Sequence, residues 1–132
     1  LPAHSFRLVI DQQQRNLTAS VAHKKLSQLA QGIKKTVMPA LLREVRPSLT
    51  DMLPHVEALA ETAAKEWINT ALNNYDKDRS LERQRLQALM SRNPHISPSE
   101  LENFDAETSL GKDALGNMQL NMSALRLAIV SQ

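Results

Sequence analysis

Asn93-Pro94-His95-Ile96-Ser97-Pro98-Ser99-Glu100 is the stretch that decides the fold. A residue before proline avoids helical angles, so Pro94 stops a helix arriving at Arg92. Ser97 then offers a side-chain oxygen as a cap, and Pro98 suits a first helical position, where no N–H is needed. Glu100 stands where it completes a capping box, a device worth about 1 kcal/mol. A turn this short makes the flanking helices antiparallel neighbours, with Leu86 and Leu89 expected to meet Leu101 and Phe104.

Upstream of that turn, neither Gly nor Pro interrupts the chain between His55 and Arg92. Val56, Leu59, Ala63, Trp67, Ala71 and Tyr75 draw an apolar stripe that continues through Leu81, Leu86 and Leu89. The spacing predicts a long helix over 48–92, with Pro54 in its first turn. The run from His55 alone permits roughly 55 Å of helix. Its weakest stretch is the polar Asn73-Asn74-Tyr75-Asp76-Lys77-Asp78-Arg79, where a break is expected if there is one. Downstream, Leu101, Phe104, Leu110, Leu115, Met118, Met122 and Leu125 predict a capped antiparallel helix over 98–127. Gly111 and Gly116 each weaken it by about 1 kcal/mol relative to Ala unless packing compensates.

Leu26, Leu29, Ile33, Val37, Leu41 and Val45 recur every three or four residues and predict a basic amphipathic helical segment over 21–46. Pro39 is expected to kink it near 35–38, and Pro47 to close it. Before it, Ser5-Phe6-Arg7-Leu8-Val9-Ile10 reads as a β-strand over 5–11. A lone strand needs a ladder partner. Leu125-Arg126-Leu127-Ala128-Ile129-Val130 offers one within the chain, while the helical spacing of Met118, Met122, Leu125 and Ile129 competes for the same residues. The fold class is therefore mainly α: a long antiparallel helical hairpin and a further amphipathic helical segment in one domain over 1–132, with a short N-terminal strand whose sheet is expected to be completed outside the chain.

Composition agrees. The 132 residues are 42% apolar and 23% charged, a globular mix, and twenty leucines with fifteen alanines outweigh four aromatics. No apolar run approaches the ~18 residues of a membrane span, so no membrane role is expected. The absence of cysteine removes disulfides, thiol nucleophiles and cysteine zinc sites. The chain opens on Leu1 rather than Met, without a secretory leader, and is expected to be a fragment of something larger.

Catalytic patterns are missing. Gly111-Lys112-Asp113 lacks the upstream glycine and the Ser or Thr of a phosphate-binding loop. His4, His23, His55 and His95 share no metal-ligand spacing. Asp76 with Asp78, and Glu100 with Glu102, do not converge, and no serine sits in a nucleophile elbow. No catalytic, cofactor-binding or metal-ligating residue is assigned.

Charge is more informative. Residues 1–46 carry +6, residues 47–92 carry −1 and residues 93–132 carry −3. Lys24, Lys25, Lys34, Lys35, Arg43 and Arg46 form the candidate face. Lys24, Lys35 and Arg46 are spaced by eleven, close to three turns, and would line one side of a continuous helix. That face fits protein docking, phosphate contact with DNA or RNA, or plain solvation. Four aromatics provide no stacking platform for single strands, and no helix-turn-helix or finger spacing appears.

The order of segments resembles a known family. Leu86-Gln87-Ala88-Leu89, Asn93-Pro94-His95-Ile96, Glu100-Leu101 and the closing Ser123-Ala124-Leu125-Arg126-Leu127-Ala128-Ile129-Val130 are similar to the C-terminus of the RapA family, the bacterial RNA-polymerase-associated recycling ATPases. Phe6-Arg7-Leu8-Val9-Ile10-Asp11 followed by Arg15-Asn16-Leu17 is similar to that family's strand and Asn-Leu segment. The resemblance covers nearly the whole chain, with residues 20–80 matching in helical pattern more than in letters. It implies a cytoplasmic, helicase-like, remodeller-type parent that binds core RNA polymerase and hydrolyses ATP on DNA. ATP and magnesium then belong to upstream modules, and this chain packs on them as a noncatalytic domain. Lys34-Lys35, Pro39 and Asn73-Asn74-Tyr75 match no hallmark of the family, so the basic face is not among the features that the resemblance implies.

Overall fold

The computed structural model describes residues 4–130; the outermost positions of the expected 1–132 domain lie outside the described residues. Three helices follow one another: α1 over His23–Leu29, α2 over Met38–Arg92 and α3 over Pro98–Gly116. The chain is mainly helical, as its leucine- and alanine-rich composition predicts. It divides into two compact units, the first formed by Leu1–Ala63 with Asn121–Gln132 and the second by Ala64–Leu120.

The second unit holds the helical hairpin. α2 runs unbroken to Arg92, and the Asn93 amide closes it on the Leu89 carbonyl at 2.8 Å. Asn93 Oδ1 accepts the His95 amide at 3.0 Å, and the Ile96 amide reaches back to the Asn93 carbonyl at 3.3 Å. These bonds replace the helical ladder that Pro94 forbids. Ser97 is the cap, in extended backbone, accepting the Ser99 amide on Oγ at 3.3 Å, with Pro98 at the first helical position. The Glu100 amide donates to the Ser97 carbonyl at 3.0 Å, so Glu100 contributes its backbone to the first turn.

The polar stretch at residues 73–79 does not break. Its Asp76 and Arg79 side chains are among those that tie α2 to α3, and tertiary contact overrides its low helix propensity. Leu115, 2% exposed, is the one buried apolar residue among those described.

Three expected boundaries move. α3 ends at Gly116 instead of near residue 127: Asn117 leaves the helix at φ −96° and ψ 10°, its amide closing on Asp113 and Leu115 carbonyls. Gly116 is the poorest helix former of that turn, and residues 118–130 carry no helix. The segment over 21–46 is interrupted between Leu29 and Met38, so it is not one amphipathic helix. Pro39 falls in the first turn of α2, where a missing N–H costs nothing, and therefore starts that helix rather than kinking it. The long helix expected over 48–92 begins ten residues earlier, at Met38: Pro47 does not close the preceding segment and Pro54 is not in a first turn, both lying inside α2 and exposed, where water can reach the carbonyls they leave unpaired.

At the N-terminus the expected strand over 5–11 reduces to an isolated antiparallel bridge between Ile10 and Asn16. The partner is local, not the tail at 125–130. The Leu17 amide donates to the Val9 carbonyl at 2.7 Å, and the Val9 amide to Thr18 Oγ1 at 3.0 Å. Asp11 builds the turn between them, accepting the Arg15 amide at 2.9 Å and Arg15 Nε at 2.6 Å. That amide bond first, then the Arg15 side chain and charge, hold the Asp11 carboxyl below the usual carboxylate value against some desolvation. Gln14 adopts φ 61°, the left-handed conformation that a turn this tight requires.

Candidate functional site

The six basic residues all belong to the first unit. Lys24 and Lys25 ride on α1, Lys34 and Lys35 lie in the connection after it, and Arg43 and Arg46 stand in the early turns of α2. The interruption of the helix removes the eleven-residue spacing as a shared helical face, since that argument needs a continuous helix. Exposure is what the six have in common: each is exposed, and among the described residues none of their side chains takes part in an ion pair or hydrogen bond, the Arg46 backbone carbonyl alone accepting a side-chain donor, Thr50 Oγ1, at 3.0 Å. Ile33, Val37, Met38 and Leu42, also exposed, intersperse apolar surface among these charges.

In the second unit Lys65, Lys77, Arg85 and Arg92 are exposed in the same way, whereas Arg79, Arg83 and Lys112 are taken up by contacts between α2 and α3. Arg79, 20% exposed, lies with its guanidinium carbon 3.7 Å from the centre of the Phe104 ring. From there Nε donates to Thr108 Oγ1 at 2.8 Å and Nη2 to the Phe104 carbonyl at 3.2 Å. Glu82 and Glu107 stand 3.8 and 3.9 Å away and are well exposed, so the ring and the two neutral acceptors dominate this contact. Arg83 grips Asp105 in a two-pronged pair at 2.8 and 3.1 Å. The Arg83 hydrogen bonds, opposed by slight desolvation and aided by its charge, hold the Asp105 carboxyl below the usual value. Lys112 Nζ meets Asp76 at 2.5 Å. Successive turns of α2 and α3 are thus joined by Asp76, Arg79 and Arg83 on one helix and Lys112, Thr108 and Asp105 on the other, the order of an antiparallel pair.

Leu86, Leu89 and Phe104, without the Leu101 expected beside them, line one shallow depression of about 320 Å³ rimmed by Glu82 and Arg85. It is open and charged at its edge, and holds no nucleophile or histidine. Among the described residues, no three His, Asp or Glu side chains are grouped to hold a metal ion. Among the same residues, no helix is long and apolar enough to cross a membrane.

Two features escaped sequence reasoning. The clamp residues Tyr75, Asp76 and Arg79 look like a weak helical stretch until α3 is placed beside them. The apolar residues of 118–130 read as a helix face through about residue 127 in competition with a strand at 125–130, yet they are exposed and in neither helix nor strand.

The model of the RNA polymerase recycling family, C-terminal, matches residues 1–130. The chain is similar to the "RNA polymerase-associated protein RapA" of Yersinia pestis (strain Pestoides F) and to that of Yersinia pseudotuberculosis serotype O:1b (strain IP 31758). Each is 28% identical over 131 residues, or 99% of this chain. The chain spans only 14% of the length of either relative.

Proposed function

The chain belongs to the RNA polymerase recycling family, as its C-terminal domain, and on that premise we propose that it is a noncatalytic docking domain. It packs on the preceding part of its own polypeptide and presents the basic surface of Lys24, Lys25, Lys34, Lys35, Arg43 and Arg46 to core RNA polymerase. The parent protein works in the cytoplasm on transcription complexes and hydrolyses ATP. ATP and magnesium are bound by modules that precede this domain. The observation that supports the docking half is that six exposed cations without side-chain partners fall together within 24–46 of the first unit, where residues 1–46 carry +6; the exposed Lys65, Lys77, Arg85 and Arg92 of the second unit lie in a stretch whose charge nearly cancels. Unpaired surface charge is retained for an external partner more readily than for stability, because exposed pairs contribute little.

Capture of core RNA polymerase by the intact protein, with and without residues 1–132, tests this reading. Loss of capture with ATP hydrolysis retained is expected; unchanged capture and unchanged regulation of hydrolysis would overturn it. The exposed cations also favour a second reading, direct contact with DNA or RNA phosphates. Titration of duplex DNA at low and high salt separates the two, because phosphate contact releases counterions and steepens the salt dependence. If charge reversal at these six positions weakened binding of free DNA while leaving polymerase capture intact, the second reading would stand in place of the first.

A further inference from the structure

Residues 118–130 are unlike any other part of the chain. Met118-Gln119-Leu120-Asn121-Met122-Ser123 alternates apolar and polar, and after Ala124 the series Leu125, Leu127, Ile129 alternates again with Arg126 and Ala128. Period two is the signature of a strand with one buried face. The two series are out of phase by one residue at Ser123-Ala124, which is what a β-bulge produces. All seven of the large apolar residues Met118, Leu120, Met122, Leu125, Leu127, Ile129 and Val130 are nevertheless exposed, Met122 by 59%, Leu125 by 60% and Val130 by 90%.

The backbone is equally unspent. Among the described residues, the Met118 amide closes on Leu115, and no backbone–backbone hydrogen bond then involves 119–130. One exposed bond from Arg126 to Ser27 Oγ at 3.3 Å is the side-chain hydrogen bond that holds the segment. A dozen residues with unpaired amides, alternating apolar side chains and no regular structure present everything that adding a strand to a sheet edge requires.

We propose that residues 118–130 form a bulged strand that adds to the edge of a β-sheet in the part of the full-length protein preceding this domain. This rests on the packing half of the proposed function and gives it a mode. Two arguments select that occupant over RNA polymerase or a second copy. The segment carries a single charge, Arg126, which its alternation places on the face opposite Leu125, Leu127 and Ile129. Surfaces used for reversible encounters keep polar and charged residues, whereas permanently covered ones resemble a divided core. The relatives are also about seven times as long as this chain, so most of the polypeptide is available to supply the sheet.

Amide hydrogen exchange on the intact, full-length protein tests the proposal. Without polymerase, the amides of 119–129 should exchange at least about 100-fold more slowly than an unstructured peptide, independently of protein concentration. Fast exchange would overturn it. So would protection that appears only when core RNA polymerase is added, or only as protein concentration rises. Period is read separately, by single cysteines at 124–129 labelled with a thiol reagent in a background without other cysteines. Slow labelling at 125, 127 and 129 with fast labelling at 126 is expected, and a three-to-four-residue period would contradict a strand. Leu127→Asp should release the protection and Arg126→Asp should keep it. If Leu127→Asp fails to fold, the exchange and labelling results decide alone. Capture of polymerase is measured in parallel, so a protected tail without capture rejects the docking half while leaving the strand intact.

Discussion

Replacing Gly111 by alanine should loosen the hairpin, although alanine is the better helix former. Gly111 lies within α3, and a Cβ built there overlaps Tyr75 Oη and comes within 2.6 Å of Tyr75 Cζ. Tyr75 is half-buried beside Arg79, whose guanidinium lies 6.0 Å from the tyrosine ring centre, so the ring has little room to withdraw. Overpacking of this kind costs about 1–3 kcal/mol. The propensity gain returns about 1 kcal/mol. The net effect of Gly111→Ala is thus a loss of up to about 2 kcal/mol in the opening free energy of α3, about thirtyfold in exchange rate at the upper end. Amide exchange across α3 in the intact protein reads it. The decisive step is to repeat the substitution in a Tyr75→Ala background, where the obstruction is gone and only the propensity term remains. There Gly111→Ala should stabilise α3 by about 1 kcal/mol, reversing the sign. Stabilisation in both backgrounds would refute the close approach of Tyr75 to Gly111.

Ser97→Ala removes the cap on Ser99 and should cost about 1 kcal/mol, seen as faster exchange confined to the first turn of α3. Arg79→Lys cannot both cover Phe104 and bond Thr108 with the Phe104 carbonyl, and should cost about 1–2 kcal/mol in the same measurement. Because the folded Asp105 carboxyl is depressed, its pairing with Arg83 stabilises the hairpin above the ordinary value of 3.8 and is lost as pH falls through the lower folded-state value. Asp105→Asn should therefore flatten the acid limb of helix loss followed by circular dichroism, and an unchanged limb would count against the pair.

The legible parts of this fold are those decided by a few neighbouring residues. Asn93 to Glu100 announce their turn and cap because proline, asparagine and serine act on the backbone within four positions. Leu86 and Phe104 follow from that turn with no further information. What a local reading misjudges is set by contacts distant in sequence. Residues 73–79 look like a weak helix, yet Tyr75, Asp76 and Arg79 are held by Gly111, Lys112 and Thr108, about thirty residues later. Pro39 shows the converse: a proline in a periodic stripe reads as a kink, whereas the helix simply begins there. The segment at 118–130 satisfies helical and strand periods together over its apolar positions, and Gly116 with Asn117 tips it out of the helix. The basic residues were visible as a charge excess, but their freedom from internal partners emerged only with the acidic side chains in place.

The most direct measurement of the central claim is the affinity of the intact protein for core RNA polymerase when Lys24, Lys25, Lys34, Lys35, Arg43 and Arg46 are changed together to alanine, compared at low and high salt. Six exposed charges at about 0.2–1 kcal/mol each predict at least about sevenfold weaker binding at low salt. The difference from the unaltered protein should shrink as salt screens the charges, with α3 exchange unchanged. Equal affinities at low salt would contradict the assignment of this surface as the polymerase-facing one.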